Sequence, residues 1–430
     1  MWRAAYRLLL WLAFPWIIAR LWWRGRAEPV YRRHFGERFG FYGMRPSRPV
    51  IWLHAVSLGE TRAAEPLLRE LQLHHPECEI LVTQMTATGR EAAVQLFGDA
   101  VRVAWLAYDY PSAVRRFLRY FRPRLGILME TEIWFNLVEE CHRSGVPLMM
   151  ANARMSEKSA RGYALVGPLV RSALSRLGAI AAQTAEDAER IRALGAGAVE
   201  ITGNLKFDVE PAAGSDSLAA EFRRRFGARR IVLAASTREG EEELLLDALA
   251  RNALGDAIVV IVPRHPQRFE EVARLLSSRG LKFARRSSSA PLDPGCEFVL
   301  GDSMGEMAAY YRACDVAIIG GSLLAYGGQN LIEACAAGVP ALIGPHTYNF
   351  AQAAAAAVAA GAALRVKDAE EAVRQARALS QDKSLRERMG RAGVEFCSEH
   401  RGASKRTLAI CERLFAAPAA ETVRSPRAGD

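Results

Sequence analysis

Short apolar runs alternate along the chain with longer stretches whose apolar residues recur every three or four positions. The runs predict strands at 50–54, 80–83, 101–105, 125–129, 147–150, 179–182 and 199–202. A second series falls at 231–235, 257–262, 281–284, 297–300, 316–319, 341–343 and 363–366. Helix-period stretches at 63–73, 185–194 and 241–250 lie between strands. Runs apolar on both faces and separated by helices predict parallel sheets covered by helices on each side, an α/β architecture.

The pattern breaks in two places. The segment 208–217, DVEPAAGSDS, is polar and punctuated by Pro and Gly, as a linker is. It divides the chain into 27–207 and 218–416, two Rossmann-like halves expected to bind ligands in a cleft at the carboxyl ends of their strands. Residues 417–430 are rich in Pro, Ala and charge and are expected to be disordered.

The other break is 1–26, which holds Trp2, Trp11, Trp16, Trp22 and Trp23, most of the tryptophan of the chain. Residues 8–19 are uncharged and almost wholly apolar. At ~1.5 Å per residue they cover roughly 18 Å, short of a ~30 Å hydrocarbon core. Extended to 4–23 the stretch nearly spans it, but takes in Arg7 and Arg20, which can snorkel. Arg20, Arg24, Arg26, Arg32 and Arg33 follow the apolar run, so the positive-inside rule keeps the rest of the chain cytoplasmic. The segment reads as a membrane-surface helix or a short anchor at the inner face of a membrane. The alternative is a helix packed on the protein's own core.

Composition narrows the partners. Lys and Arg number 57 against 47 Asp and Glu, a formal charge of +10, which favours nucleic acid, an acidic membrane or a phosphorylated substrate. The 7 cysteines are scattered without a C-x-x-C pair, which argues against disulfides and zinc ribbons. No H-E-x-x-H occurs, and the adjacent His74 and His75 point apart on a helix, so no protein-built metal site is expected. Neither a P-loop nor a G-x-G-x-x-G after a strand is present, and no nucleic-acid-binding module is recognisable.

The candidate chemistry lies where strands end. His54-Ala-Val-Ser-Leu-Gly-Glu60 follows a strand, with helix expected from Thr61; Glu60 there can take a proton from an incoming hydroxyl, or simply favour a helix N-terminus. Glu130 and Glu132 follow another strand and can shape the ionisation of Glu60, bind substrate hydroxyls, or start a helix. Lys206, in Gly-Asn-Leu-Lys-Phe-Asp, can hold a carboxylate or phosphate, or pair with Asp208. In the second half, Pro263-Arg264-His265-Pro266 ends a strand, and Asp302-Ser-Met304-Gly305-Glu306 starts a helix whose free N–H groups can receive an anion. Gly320-Gly321-Ser322 ends another strand, and Gly327-Gly328-Gln329-Asn330-Leu331-Ile332-Glu333 opens a helix with Glu333 placed for a ribose diol. Four such pieces in one half point to a nucleotide site.

Together these motifs resemble the 3-deoxy-D-manno-octulosonic acid (Kdo) transferases, glycosyltransferase family 30. The resemblance runs from the Trp/Arg-rich start to about residue 415. It includes RGR-x-x-P-x-YRRHFGERFGFY at 24–42, HAVSLGE, METEIW, NARMSEKSARGY at 152–163, GNLKFD, PRHP, DSMGEM, GGSLLAYGGQNLIEA and GPHTYNF at 344–350. It implies a GT-B fold and inverting transfer of Kdo from CMP-β-Kdo to a lipid A precursor (lipid IVA) at the cytoplasmic face of the inner membrane, with CMP released and no metal or other cofactor. It further implies that Glu60 is the base, that Glu130 and Lys206 support the transition state, and that Pro263, Arg264, Met304, Gly305, Glu306, Asn330, Leu331, Ile332 and Glu333 contact CMP. The chain departs from the family pattern at Arg238 and Gln329, where His is usual, and at Phe135 and Leu331, where Pro is usual.

Overall fold

The computed structural model describes residues 1–43, 45–288, 292–293 and 295–416. The segment 417–430, expected to be a disordered tail, lies outside them. The chain forms two compact units, 1–209 with 401–430, and 210–400.

The first unit carries a parallel sheet of seven strands: β1 (Val50–His54), β2 (Glu79–Gln84), β3 (Arg102–Trp105), β4 (Pro123–Met129), β5 (Leu148–Ala153), β6 (Ala179–Ala182) and β7 (Val199–Ile201), in the order β3-β2-β1-β4-β5-β6-β7. The second carries β8 (Ile231–Thr237), β9 (Ile258–Pro263), β10 (Phe283–Arg285), β11 (Phe298–Leu300), β12 (Val316–Ile319), β13 (Ala341–Ile343) and β14 (Ala363–Arg365), in the order β10-β11-β9-β8-β12-β13-β14. Each expected strand is present, its ends displaced by at most three residues.

The alternation of side chains along a strand explains the burial. In β1, Val50 and Trp52 enter one core while Ile51 and Leu53 enter the other, and all four are buried. Trp52 has room because its neighbour on β4 is Gly126, where a Cβ would lie 2.9 Å from the indole ring. Its Nε1 donates to Thr83 Oγ1 at 2.7 Å, which satisfies the one polar atom of the indole.

The expected second domain, 218–416, differs from what forms. The helix Ala403–Ala416 packs on the first unit, with Leu408, Ile410 and Cys411 in the same core as Ile51 and Leu67. Asp208 anchors it, accepting from the backbone of Gly402 (2.7 Å) and Ser404 (2.6 Å). Amphipathic periodicity marks a helix but does not say which core it covers. The linker is also shorter than 208–217, because the helix Ser215–Phe226 begins inside it.

Two helices bear on function. Residues Trp2–Ala27 form α1, the one helix among the described residues long and apolar enough to cross a membrane by length and composition. Residues Leu58–His74 form α2, which follows β1.

Candidate active site

In a doubly wound sheet, the strand order reverses about the first strand, and the loops leaving that point part to open a crevice. In the first unit the reversal falls between β1 and β4. Glu60 follows β1 and Glu130 follows β4.

Ser57 caps α2, so the helix starts three residues before the position expected from the sequence. Glu60 N donates to Ser57 Oγ (3.3 Å), and the Ser57 hydroxyl donates back to Glu60 Oε1 (3.0 Å). Val56 N donates to Oε2 at 2.8 Å. This is a capping-box pattern, S-x-x-E, which the sequence displays at 57–60. The helix-terminal role and the half-buried placement of Glu60 thus coexist. Burial, followed by the negative charge of Glu130, pushes its carboxyl up to about 7, against the lowering effect of the Val56 N–H. Glu132 adds to the rise. A carboxyl poised near neutrality can both take and hold a proton at ordinary pH.

Glu130 starts no helix. It sits in the left-handed region at φ +56°, while its N–H still donates to Ala151 O on β5 at 2.9 Å. The following helix begins at Phe135. A non-glycine residue held at positive φ costs roughly 1–2 kcal/mol, and here the turn aims the carboxylate at Lys206, whose Nζ lies 3.0 Å from Oε1. Lys206 therefore pairs with Glu130, and Asp208, the alternative partner, caps the last helix instead. Lys206 arrives on a short turn after β7, whose Leu205 N donates to Asn152 Oδ1 (3.0 Å) and whose Lys206 N donates to Asn204 Oδ1 (3.0 Å). Asn152, also at positive φ (+54°), is a residue that the motif reading quoted without a role. Its signal is a lone buried Asn in the apolar run of β5.

His54 is no base. It is fully buried, its Nδ1 bonds the Thr83 carbonyl at 3.0 Å, and burial pushes its pKa down to about 4. His75, Glu77 and Cys78 bring their donor atoms within 4.8 Å of one another. They precede β2 and so sit at the amino end of the sheet, with His75 closing α2 about 22 Å from Glu60 at ~1.5 Å per helical residue.

The second unit presents a different surface. At its own reversal, between β8 and β12, Gly320 passes so close to Ser236 that a Cβ would lie 2.4 Å from the Ser236 carbonyl oxygen. Beneath this turn lies Glu241, fully buried, which accepts from Gly321 N (2.6 Å), Leu323 N (3.0 Å) and Arg238 N (2.9 Å). Sequence reasoning passed over Glu241, which appears there as one of three acids opening the helix Glu241–Arg251. Pro263 is the buried last residue of β9, and Arg264 N donates to Thr237 O at 3.0 Å. Arg264 Nε donates to Gln329 Oε1 at 3.1 Å, so the Gln at this departure orients the arginine. Arg238, another departure, lies over the Tyr326 ring at 4.4 Å.

Met304 is exposed and Gly305 has φ +82°. Glu306 receives a two-pronged bond from Arg286 (both 3.1 Å) ahead of the helix Met307–Ala313. That helix joins two of the expected segments: Tyr310 OH lies 3.4 Å from Ser303 Oγ, and Tyr311 OH donates to Asn330 O at 3.4 Å. Asn330 Nδ2 donates to Glu333 Oε1 (2.9 Å) and Ile332 N donates to Asn330 Oδ1 (3.1 Å). Leu331 and Ile332 are buried. Phe135 packs edge-on against Tyr6, ring centroids 5.1 Å apart.

The family model described as 3-Deoxy-D-manno-octulosonic-acid transferase (kdotransferase) matches residues 33–209, and that of Glycosyl transferases group 1 matches 242–396. A 3-deoxy-D-manno-octulosonic acid transferase of Bordetella pertussis is 43% identical over 425 residues, covering 95% of this chain and 99% of the relative. One of Haemophilus influenzae is 37% identical, covering 95% and 97%. Among solved structures, UDP-GlcNAc 2-epimerase of Neisseria meningitidis bound to UDP-GlcNAc superposes with a TM-score of 0.60 at 15% identity, covering 85% of this chain and 100% of that one. A glycosyltransferase of Rickettsia africae gives 0.59 at 10% identity, covering 87% and 100%. These likenesses show the fold, two Rossmann-like units of the GT-B type. The near full-length identities show more: the chain is a glycosyltransferase and belongs to the 3-deoxy-D-manno-octulosonic acid transferase family.

Proposed function

We propose that the protein transfers Kdo from CMP-β-Kdo to a hydroxyl of a lipid A precursor of the lipid IVA type, with inversion and release of CMP. The observation that carries this reading is Glu60, a carboxyl raised to about 7 beside Glu130 at the reversal point of the first sheet. Ionised Glu60 takes the proton of the acceptor hydroxyl. The hydroxyl oxygen forms one bond to the anomeric carbon as the bond from that carbon to the CMP phosphate breaks, and the electron pair leaves with the phosphate. Glu130 and Lys206, 3.0 Å apart, support the charges of the transition state, which are positive on the sugar and negative on the departing phosphate and the Kdo carboxylate. Pro263, Arg264, Met304, Gly305, Glu306, Asn330, Leu331, Ile332 and Glu333 form the segments that hold CMP, with the Asn330 amide and the Glu333 carboxylate as polar side chains among them. Fixed cations and main-chain dipoles perform this stabilisation with no metal in the scheme.

The same reading puts the protein on the cytoplasmic face of the inner membrane. Its basic excess and α1 suit a partner that is an anionic lipid in an anionic surface. The test is transfer by the purified protein with CMP-Kdo generated in situ and lipid IVA, products weighed by mass spectrometry. Kdo adducts are expected, with inhibition by CMP and none by UDP. Inhibition by UDP at equal concentration, or absence of adducts, sinks the reading.

A further inference from the structure

The contacts of α1 are arranged the opposite way from those of a helix in a water-soluble protein. The positions shielded by the rest of the first unit are 3, 6, 7, 10, 13, 14, 17, 18, 21 and 25, a stripe at helical spacing running the length of the helix. That stripe is polar where it grips hardest. Arg3 Nη1 lies 2.6 Å from Glu139 Oε2, Tyr6 OH donates to Asp109 Oδ2 at 2.7 Å, and Arg7 Nε donates to Asn136 Oδ1 at 3.0 Å. Tyr110 OH donates to the Leu10 carbonyl at 2.7 Å, and Phe14 meets Tyr110 and Phe39 edge-on. Asp109, Asn136 and Glu139 are buried.

The opposite side carries Trp2, Leu8, Leu9, Leu12, Trp16 and Trp23, each about half exposed or more. An exposed run of large apolar side chains over ~33 Å of helix, at 1.5 Å per residue, marks an interaction surface. Arginines flank it at one end: Arg20 lies over the Trp16 ring (5.4 Å), and Arg26 and Arg32 over Trp22 (5.4 and 4.5 Å). Tryptophan and arginine together suit the boundary between acyl chains and anionic headgroups.

We propose that α1 lies in the plane of an anionic membrane surface rather than crossing it. The Arg3–Tyr6–Arg7 side clamps it to the first unit, the Trp2–Leu9–Leu12–Trp16–Trp23 side enters the headgroup–acyl boundary, and both its ends stay on the cytoplasmic side. This rests on the membrane attachment proposed above. A crossing α1 would have to leave the unit, stripping buried Asp109 and Asn136 of Tyr6 and Arg7 and carrying Arg3 and Arg7 to the far side. A clamped α1 keeps every one of these bonds and still buries its apolar side in lipid.

The experiment places a short polar peptide carrying one cysteine ahead of Met1 in the full chain; the native cysteines are all buried. Membrane-bound protein is exposed to an impermeant maleimide from the periplasmic side, in cells with a permeabilised outer membrane, and from the cytoplasmic side, in inverted vesicles. Transfer activity of the same vesicles certifies folding. At least tenfold more labelling in inverted vesicles is expected. Labelling from the periplasmic side at that ratio overturns the in-plane arrangement, because a crossing helix puts the peptide there. Recovery of the active protein in the soluble fraction of a low-salt, detergent-free lysate defeats the membrane attachment itself, and the arrangement with it, a separate result.

Discussion

Both sheets have seven parallel strands and reverse beside their first strand, and they differ in what they display at that reversal. The first unit displays charged side chains, with Glu60, Glu130 and Lys206 meeting over β1 and β4. The second presents close-packed backbone: Gly320 and Gly321 are themselves buried, with the carboxylate of Glu241 sunk beneath them. A carboxylate held half-buried changes its proton affinity, which is what chemistry on a hydroxyl needs. A carboxylate held fully buried under N–H groups fixes a loop, which is what recognition of a nucleotide needs. On the proposed function, the same residue type serves reaction in one unit and shape in the other, according to depth and partners.

The contrast is broken most directly by Glu60→Gln. Transfer is expected to fall about 10²–10⁴-fold, the usual worth of a positioned base, while CMP binding by calorimetry stays at the wild-type value. Retained transfer removes the base from the first unit. Glu241→Ala tests the other side. It leaves buried N–H groups of Gly321, Leu323 and Arg238 without their acceptor, at roughly 1–3 kcal/mol each when unrelieved. A fall of several degrees in Tm and weaker CMP binding are expected, with the pH dependence of transfer unmoved. A shifted pH profile would mean that Glu241 acts on the chemistry rather than on the loop.

Glu130→Gln sharpens the electrostatic half. The rate should rise with pH through about 7 as Glu60 ionises, and Glu130 is the largest charge cause of that value. Its neutralisation should move this limb to lower pH; an unmoved limb uncouples the pair. The same ionisation fixes a sign in stability. The folded value of Glu60 lies above its ordinary 4.5, so the stability it contributes is complete below that value and is lost as pH rises through about 7. Ser57→Ala has the smallest expected effect. Loss of the cap costs about 1 kcal/mol, read as a Tm lower by a few degrees with little change in transfer.

What the sequence made legible follows from physics of short range. Both sheets are buried on two faces, so their strands stand out as continuous apolar runs, and Glu60, Glu130 and Lys206 were visible as charges at the ends of such runs. The Ser57–Glu60 box was equally local and went unread. Asn152 and Glu241 were less legible, because each matters through the backbone of a segment at least fifty residues away. The departures behave likewise. Gln329 is explained by Arg264 and Arg238 by Tyr326, neither a neighbour in sequence. The last helix misled for the same reason, since its partner strands lie more than two hundred residues back.

That helix has a consequence for how the molecule is made. The first unit is interrupted by the whole of 210–400 and closed by residues that follow it. During synthesis the second unit can leave the ribosome with all its strands in hand, whereas the first must wait, with the face of Leu67 and Ala179 uncovered, until Leu408 and Ile410 arrive. At about 5–20 residues per second, the interruption lasts on the order of 10–40 s. The unit bearing the carboxylates is therefore the one finished last, and the one that a nascent-chain chaperone would have most reason to hold.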